Sequence, residues 1–233
     1  MAKTKSKRKK KKTDDANKKE LLILIGVAVF ALLIWDTPVV YPVKLLVIAF
    51  HEISHALATI FTGGSVLGME VNSGLYGTVN SEGGNEFLIA SSGYLGSLIF
   101  GFLIFISADN KKMNLILSTS LSVILLLFIA NFFTDAIAIL ILLGYVMFFY
   151  VAPRYLKPQI NYWAMRILGM LSSLYVIFDI KEDLFTSDAF GTDADRLAII
   201  TTVPAIYWSL LWFSVSLIVI FLMIRKTYYK KIF

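Results

Sequence analysis

The sequence contains no cysteine and only two histidines among its 233 residues. The lack of cysteine excludes disulfide bonds and thiolate zinc sites, so histidine, aspartate and glutamate are the metal ligands that remain. Charge is scarce as well, since charged residues make up 16% of the chain and hydrophobic residues 58%. A mean hydropathy of +0.74 is too high for a soluble domain. We therefore expect an all-α polytopic membrane protein.

The net charge of +6 is concentrated at the N-terminus. Residues 1–20 hold ten of the 22 Lys and Arg residues and three of the 16 acids, so the rest of the chain is nearly balanced. With almost nothing apolar to bury, this segment is predicted to be a disordered, lysine-rich tail on a single membrane domain over residues 21–233. Directly before an apolar run, it indicates a cytoplasmic N-terminus in contact with anionic lipid, not a nucleic-acid-binding arm or a cleaved signal peptide.

Seven apolar segments are candidate membrane spans. They cover residues 21–35, 39–61, 87–107, 115–130, 137–150, 162–178 and 198–224. Seven crossings would place the basic N-terminus and the basic C-terminal end on opposite sides of the membrane, against the positive-inside rule. We therefore expect six to seven transmembrane helices, with the first or the fifth segment failing to cross fully. Pro204 predicts a kink in the last segment.

The segment between the second and third spans is rich in glycine and polar residues. Gly63 and Gly64 end the second span, and residues 65–85 follow as an insert. Two short β-prone runs, 66–71 and 75–79, are separated by a turn that contains Gly74. We expect a β-hairpin-like insert whose edge could pair with an extended peptide, the alternative being an ordinary surface loop.

The second span carries the pattern H-E-x-x-H at residues 51–55. In a helix, residues four apart share a face, so the imidazoles of His51 and His55 can bind one zinc ion. Glu52 lies beside that face, where the glutamate of H-E-x-x-H hydrolases activates a zinc-bound water. The flanking residues are apolar, and unpaired ionisable groups in hydrocarbon cost about 2.5–3.5 kcal/mol each on insertion scales. A metal site is therefore favoured over a polar cluster or a proton relay.

A hydrolytic zinc site needs a third protein ligand, and with no third histidine this must be a carboxylate. Asp135, Asp179 and Asp183 lie in or near the spans, and Asp193 is a more distant candidate. With a cytoplasmic N-terminus, Asp135 and Asp179 both reach the depth of the histidines, so depth does not separate them. Asp188 and Asp195 are expected in a solvated loop.

The motif and its surroundings resemble the site-2 protease family of intramembrane zinc metalloproteases, in its compact branch without a PDZ domain. The resemblance rests on Phe50-His51-Glu52-Ile53-Ser54-His55-Ala56, on Thr62-Gly63-Gly64, on Gly93-Tyr94-Leu95-Gly96-Ser97 and on a later aspartate at a helix end. It implies that His51, His55 and one aspartate bind Zn²⁺, and that Glu52 is the catalytic base. The usual Leu-Asp-Gly of the family is missing, and Phe178-Asp179-Ile180 and the later Thr192-Asp193-Ala194 resemble what the compact branch carries instead. Asp179 is taken as the third ligand, with Asp183 on the same helix face as its partner or replacement.

The implied function is hydrolysis of a peptide bond in a membrane-embedded or membrane-tethered protein substrate, by a catalytic core over about residues 39–200. The alternatives are a non-catalytic protease-like scaffold, a metal or proton transporter, and a zinc hydrolase acting on a lipid-linked substrate. A transporter should distribute ionisable groups along a path on several helices. Here the groups gather at one level, with Arg166 as the exception, which favours a single site.

Overall fold

The computed structural model describes the backbone over residues 2–185 and 191–229, and the side chains over residues 15, 17–181 and 191–229. Within these ranges the chain forms eight α-helices and one two-stranded sheet. In chain order the elements are α1 (Ala2–Leu33), α2 (Tyr41–Phe61), β1 (Ser65–Asn72), β2 (Tyr76–Glu82), α3 (Glu86–Ser107), α4 (Lys111–Phe132), α5 (Ala136–Tyr155), α6 (Pro158–Phe185), α7 (Asp193–Thr201) and α8 (Ala205–Tyr229).

Six of the described helices, α2 to α6 and α8, are long and apolar enough to cross a membrane. The apolar part of α1, from residue 21 to its end at Leu33, is too short to meet the same criterion. These helices and the hairpin between α2 and α3 confirm the predicted fold class, an all-α polytopic membrane protein with a small β insert.

The basic N-terminal segment is the part of α1 that precedes its apolar residues. The structure places residues 2–20 in the first half of α1, which runs without a break into the apolar residues up to Leu33. Lysine and arginine are good helix formers, and residues 1–20 contain neither glycine nor proline. A helix that starts in the apolar half can therefore extend backwards through the charged half, because propagation is easier than nucleation.

The last apolar segment differs from the single span that was predicted, since it divides into two helices. α7 ends at Thr201, Thr202 adopts a left-handed conformation with φ of 61°, and α8 begins at Ala205. Pro204 lies between them and has no backbone N–H to donate, and it disfavours helical backbone at the residue before it. The predicted kink is thus a complete break, and the final membrane helix starts later than residue 198.

The β-hairpin folds back along α2. Its strands pair antiparallel from Ser65 opposite Glu82 to Asn72 opposite Tyr76, with a bulge near Gly68. At its tip, the Tyr41 hydroxyl donates to the Ser73 carbonyl at 2.6 Å, and the Ser73 hydroxyl donates to Asp135 Oδ2 at 2.9 Å. The hairpin tip is therefore held by α2 and by the start of α5.

α2 and α3 form the centre of the molecule. Leu45, Leu46, Ala49, Phe50 and Ile53 of α2 are fully buried. Phe50 stacks on Phe100 of α3 with ring centroids 4.6 Å apart. The other face of α3 meets α6, where a methyl group added at Gly169 would lie 2.5 Å from the backbone nitrogen of Phe105. Small residues let these two backbones approach closely, as they do in membrane helix pairs.

Arg166, which interrupts the sixth predicted span, is fully buried and paired. Its Nη2 lies 2.8 Å from Asp109 Oδ1, and its Nε lies 3.5 Å from Glu20 Oε1. Lys226 of α8 also reaches Asp109, at 3.6 Å, and the Tyr162 hydroxyl donates to Glu20. This charged cluster joins α1, α6, α8 and the α3–α4 connection, so the buried cation has a structural role.

Candidate metal and catalytic site

The H-E-x-x-H residues lie in the most buried part of α2. The His51 and His55 rings are one helical turn apart, with centroids separated by 4.7 Å and an interplanar angle of 71°. Glu52 and His55 are 7% and 5% exposed, while His51 is partly exposed to a cavity of about 470 Å³. The helical spacing therefore does place both imidazoles and the carboxylate at one location, open to a cavity on one side.

Asp193 completes this group from the first turn of α7. Its Oδ2 lies 3.0 Å from His51 Nε2 and 3.1 Å from His55 Nε2. A capping box explains why α7 begins here, since the Thr192 hydroxyl accepts from the Asp195 amide and the Asp195 carboxylate accepts from the Thr192 amide. The cap fixes the first turn and with it the direction of the Asp193 side chain.

The three groups are suited to a metal cation. One ligand atom from each of His51, His55 and Asp193 lies within 4.8 Å of the others. Asp193 Oδ2 is buried, and although both imidazole nitrogens are close to it, no donor is aligned with it in hydrogen-bond geometry. Three lone-pair atoms that converge without an aligned donor between them are the donor set that zinc prefers, two imidazoles and a carboxylate.

Hydrogen bonding orients one of the imidazoles for this role. His55 Nδ1 lies 2.7 Å from the carbonyl oxygen of Ile89 on α3. A carbonyl only accepts, so the proton of the neutral ring is on Nδ1, and Nε2, which points at Asp193, keeps its lone pair. Such a contact to the far ring nitrogen is typical of histidines that bind metals.

A glycine of α3 allows the histidines to lie against that helix. A methyl group built on Gly93 would overlap His51 Nε2 and would lie 2.6 Å from Asp193 Oδ2. Gly93 begins the run Gly93-Tyr94-Leu95-Gly96-Ser97 of α3, in which small residues allow close helix packing. The structure places this packing directly under the candidate ligand atoms.

Strand β2 forms the opposite wall of the cavity. Residues 75–79 line it, together with the candidate ligands, Glu52, Tyr94, Asp179 and Arg196. Tyr94 packs edge-on against His51, with ring centroids 4.8 Å apart. The site is therefore a polar chamber between α2, β2, α6 and α7, with a strand along one side.

The four candidate aspartates occupy different places. Asp179 of α6 is half-buried and lines the cavity, but among the described residues the carboxylate grouped with the two imidazoles is that of Asp193. The side chain of Asp183 lies outside the described residues. Asp135 is the N-cap of α5, accepting from the Ala138 amide at 2.8 Å, and it holds the hairpin tip. The amide of Ala138 and the hydroxyl of Ser73 lower the pKa of the Asp135 carboxyl.

Two of these placements had a local signal in the sequence. Thr192 followed by Asp195 is a helix-start pattern, so Asp195, which was expected in a solvated loop, lies with Asp193 in the first turn of α7. Asp188 lies outside the described residues. Asp135, directly before the apolar run of α5, is likewise a residue type that favours a helix start. Arg196, one turn after Asp193, also lines the cavity, and no local pattern in the sequence indicates this.

A bundle of membrane helices that buries H-E-x-x-H against an aspartate is the arrangement of membrane-embedded metallopeptidases. The chain belongs to the Peptidase M50B-like family, a site-2 protease family, whose model matches residues 24–223. The predicted resemblance to site-2 proteases is thereby confirmed. No curated protein and no solved structure matches the chain.

Proposed function

We propose that this protein is a zinc-dependent intramembrane protease that cleaves a peptide bond in a membrane-embedded or membrane-tethered protein. The observation that carries the proposal is the convergence of His51, His55 and Asp193 beside Glu52 in one cavity. His51, His55 and Asp193 would hold the ion, so the proposed third ligand is Asp193 in place of Asp179. When bound, zinc supplies a Lewis acid that polarises a carbonyl and lowers the pKa of water.

The residues of this chain supply the proton transfers and the positioning. Glu52 accepts a proton from the attacking water as the new C–O bond forms, and it delivers that proton to the amine nitrogen as the C–N bond breaks. Glu52 is well placed for this because its carboxylate lies in the same cavity as the three ligands. Burial also keeps bulk water away from the proton that it carries.

The wall formed by β2 supports a peptide as the substrate. A transmembrane helix hides its carbonyl groups in its own hydrogen bonds, so a scissile segment has to be unwound before it can react. Residues 76–79 of β2 run along the cavity as extended strand, and their backbone can pair with an extended segment. The bilayer and a membrane protein substrate are thus the proposed partners.

The test compares purified, zinc-loaded wild type with Glu52→Gln and with Glu70→Gln, which makes the same chemical change at an exposed position on β1. Each protein is incubated with detergent-solubilised membrane proteins, and new amino termini are identified by mass spectrometry. We expect new termini with wild type and Glu70→Gln, and none with Glu52→Gln, which should keep its metal. Bound zinc without any termini that depend on Glu52 would refute the protease and favour a non-catalytic scaffold or a transporter.

A further inference from the structure

The backbone of β2 touches the Glu52 side chain at Gly77. A methyl group built on the Gly77 Cα would lie 2.5 Å from Glu52 Oε1, 2.6 Å from its Cγ and 2.8 Å from its Cδ. All three distances are far below van der Waals contact. The Glu52 carboxylate therefore occupies the space that any other residue at position 77 would fill with its Cβ.

The strand has little freedom to retreat from Glu52. Gly77 pairs with Val71 of β1, whose side chain is fully buried in the core. A few residues further along, the tip of the hairpin is held by the hydrogen bonds of Ser73 to Tyr41 and Asp135. The hairpin is thus fixed directly opposite Gly77 and at its tip.

Glu52 is the side chain that can yield. Its Cα belongs to the buried centre of α2, but its side chain faces the cavity and can rotate into it. The overlap at Cγ is too deep for a small shift of the carboxylate, so a Cβ at position 77 forces a different rotamer. The carboxylate would then leave its place beside the candidate ligands, while the fold is kept.

We propose that Gly77 is a positioning residue for the catalytic base: the bare backbone of β2 at this point holds the Glu52 carboxylate beside the metal ligands. This role rests on the proposed protease function. It differs from that of Gly93, where an added methyl group would strike His51 and Asp193 and so would act on metal binding. Substitution of Gly77 should therefore displace the base and leave the ion bound, whereas substitution of Gly93 should weaken binding of the ion.

The first experiment compares Gly77→Ala, Gly93→Ala and Gly68→Ala. Gly68 is the matched control, because it lies in the same hairpin and a methyl group there has nothing within 4 Å. We expect Gly77→Ala to keep its zinc and its melting temperature while turnover falls at least about 100-fold, as for a misplaced catalytic group. Gly93→Ala should lose zinc, and Gly68→Ala should behave as wild type. Wild-type turnover in Gly77→Ala, or loss of its zinc, would overturn the proposal.

A double-mutant cycle tests the contact itself. Glu52→Asp shortens the side chain by one methylene and so withdraws the carboxylate from the candidate ligands, which is the displacement that Gly77→Ala is expected to cause by the clash. If the two residues act through this contact, Glu52→Asp should lower turnover by a smaller factor in Gly77→Ala than it does in wild type. If the fold-losses in turnover of the two single variants multiply in the double variant, Gly77 does not act through Glu52.

A cross-linking readout does not depend on activity. Since the chain has no cysteine, the double variant Glu52→Cys with Gly77→Cys can be oxidised with copper phenanthroline and examined by mass spectrometry. We expect a disulfide in this pair and none in Glu52→Cys with Gly68→Cys. Failure to form it would refute the contact, whatever the protein catalyses. A disulfide together with an inactive wild type would instead refute the proposed protease and the catalytic role of Gly77 with it.

Discussion

Replacing each candidate carboxylate by its amide gives a sharp prediction about the third zinc ligand. Asp→Asn keeps size and shape and removes the negative charge, so differences between positions report contact with the ion. Asp193 Oδ2 lies within 3.1 Å of both Nε2 atoms, so Asp193→Asn removes one of three ligands. We expect zinc affinity to fall at least about 100-fold, which corresponds to about 2.8 kcal/mol.

The other two positions set the scale for that loss. Asp179 lines the same cavity without belonging to the ligand group, and loss of a group that supports the ligands typically weakens metal binding about 10- to 100-fold. Asp135 lies at the start of α5, so Asp135→Asn should leave the zinc affinity unchanged. The order of loss is therefore Asp193 first, Asp179 second and Asp135 last.

Competition with a fluorescent zinc chelator in detergent measures the three affinities on one scale. Circular dichroism of each metal-free variant checks that the helices remain. If Asp179→Asn lost zinc while Asp193→Asn bound it as tightly as wild type, Asp179 would be the ligand and the geometry described here would not be that of the metal-bound protein.

Three further predictions concern the rest of the fold. Arg166→Met removes the buried cation paired with Asp109 and Glu20 and should cost about 3–5 kcal/mol in denaturant unfolding, whereas the exposed Lys112→Met should cost little. The pKa of Asp135 is lowered in the folded state, so its contribution to stability is present above its unfolded value of 3.8 and disappears as the pH falls through the lower, folded value. The protection factors of the hairpin amides, which correct for the intrinsic slowing of exchange in acid, should accordingly fall in acid in wild type and not in Asp135→Asn, and equal acid sensitivity would contradict this. A single cysteine introduced as Ser6→Cys should react with a membrane-impermeant maleimide only from the cytoplasmic side, and labelling from the other side would invert the topology.

Local patterns predicted what depends on neighbouring residues. The four-residue spacing of His51 and His55 gives one shared helix face, and Gly63, with φ of 86°, allows the chain to turn after α2. The antiparallel hairpin also follows from two β-prone runs around a turn. Each of these features is set within a few residues.

Contacts between residues that are far apart in the sequence cannot be predicted from local patterns. Asp179 and Asp193 offer the same chemistry, and only the packing of α6 and α7 against α2 determines which carboxylate meets the imidazoles. Gly77 carries no sequence signal at all, because its importance lies in a contact between β2 and a side chain on α2.

The position of Asp193 has a mechanical consequence in a chain without cysteine. α7 is a short helix that lies outside the six candidate spans, and Asp193 in its first turn is what meets the two histidines of the buried α2. A bound ion would act as a cross-link between chain segments that are far apart in sequence, and it would stabilise the folded state because the unfolded chain has no such site. Losing the ion would then do more than stop chemistry: it would remove a tie between α2 and α7, the helix that carries Arg196 to the side of the cavity.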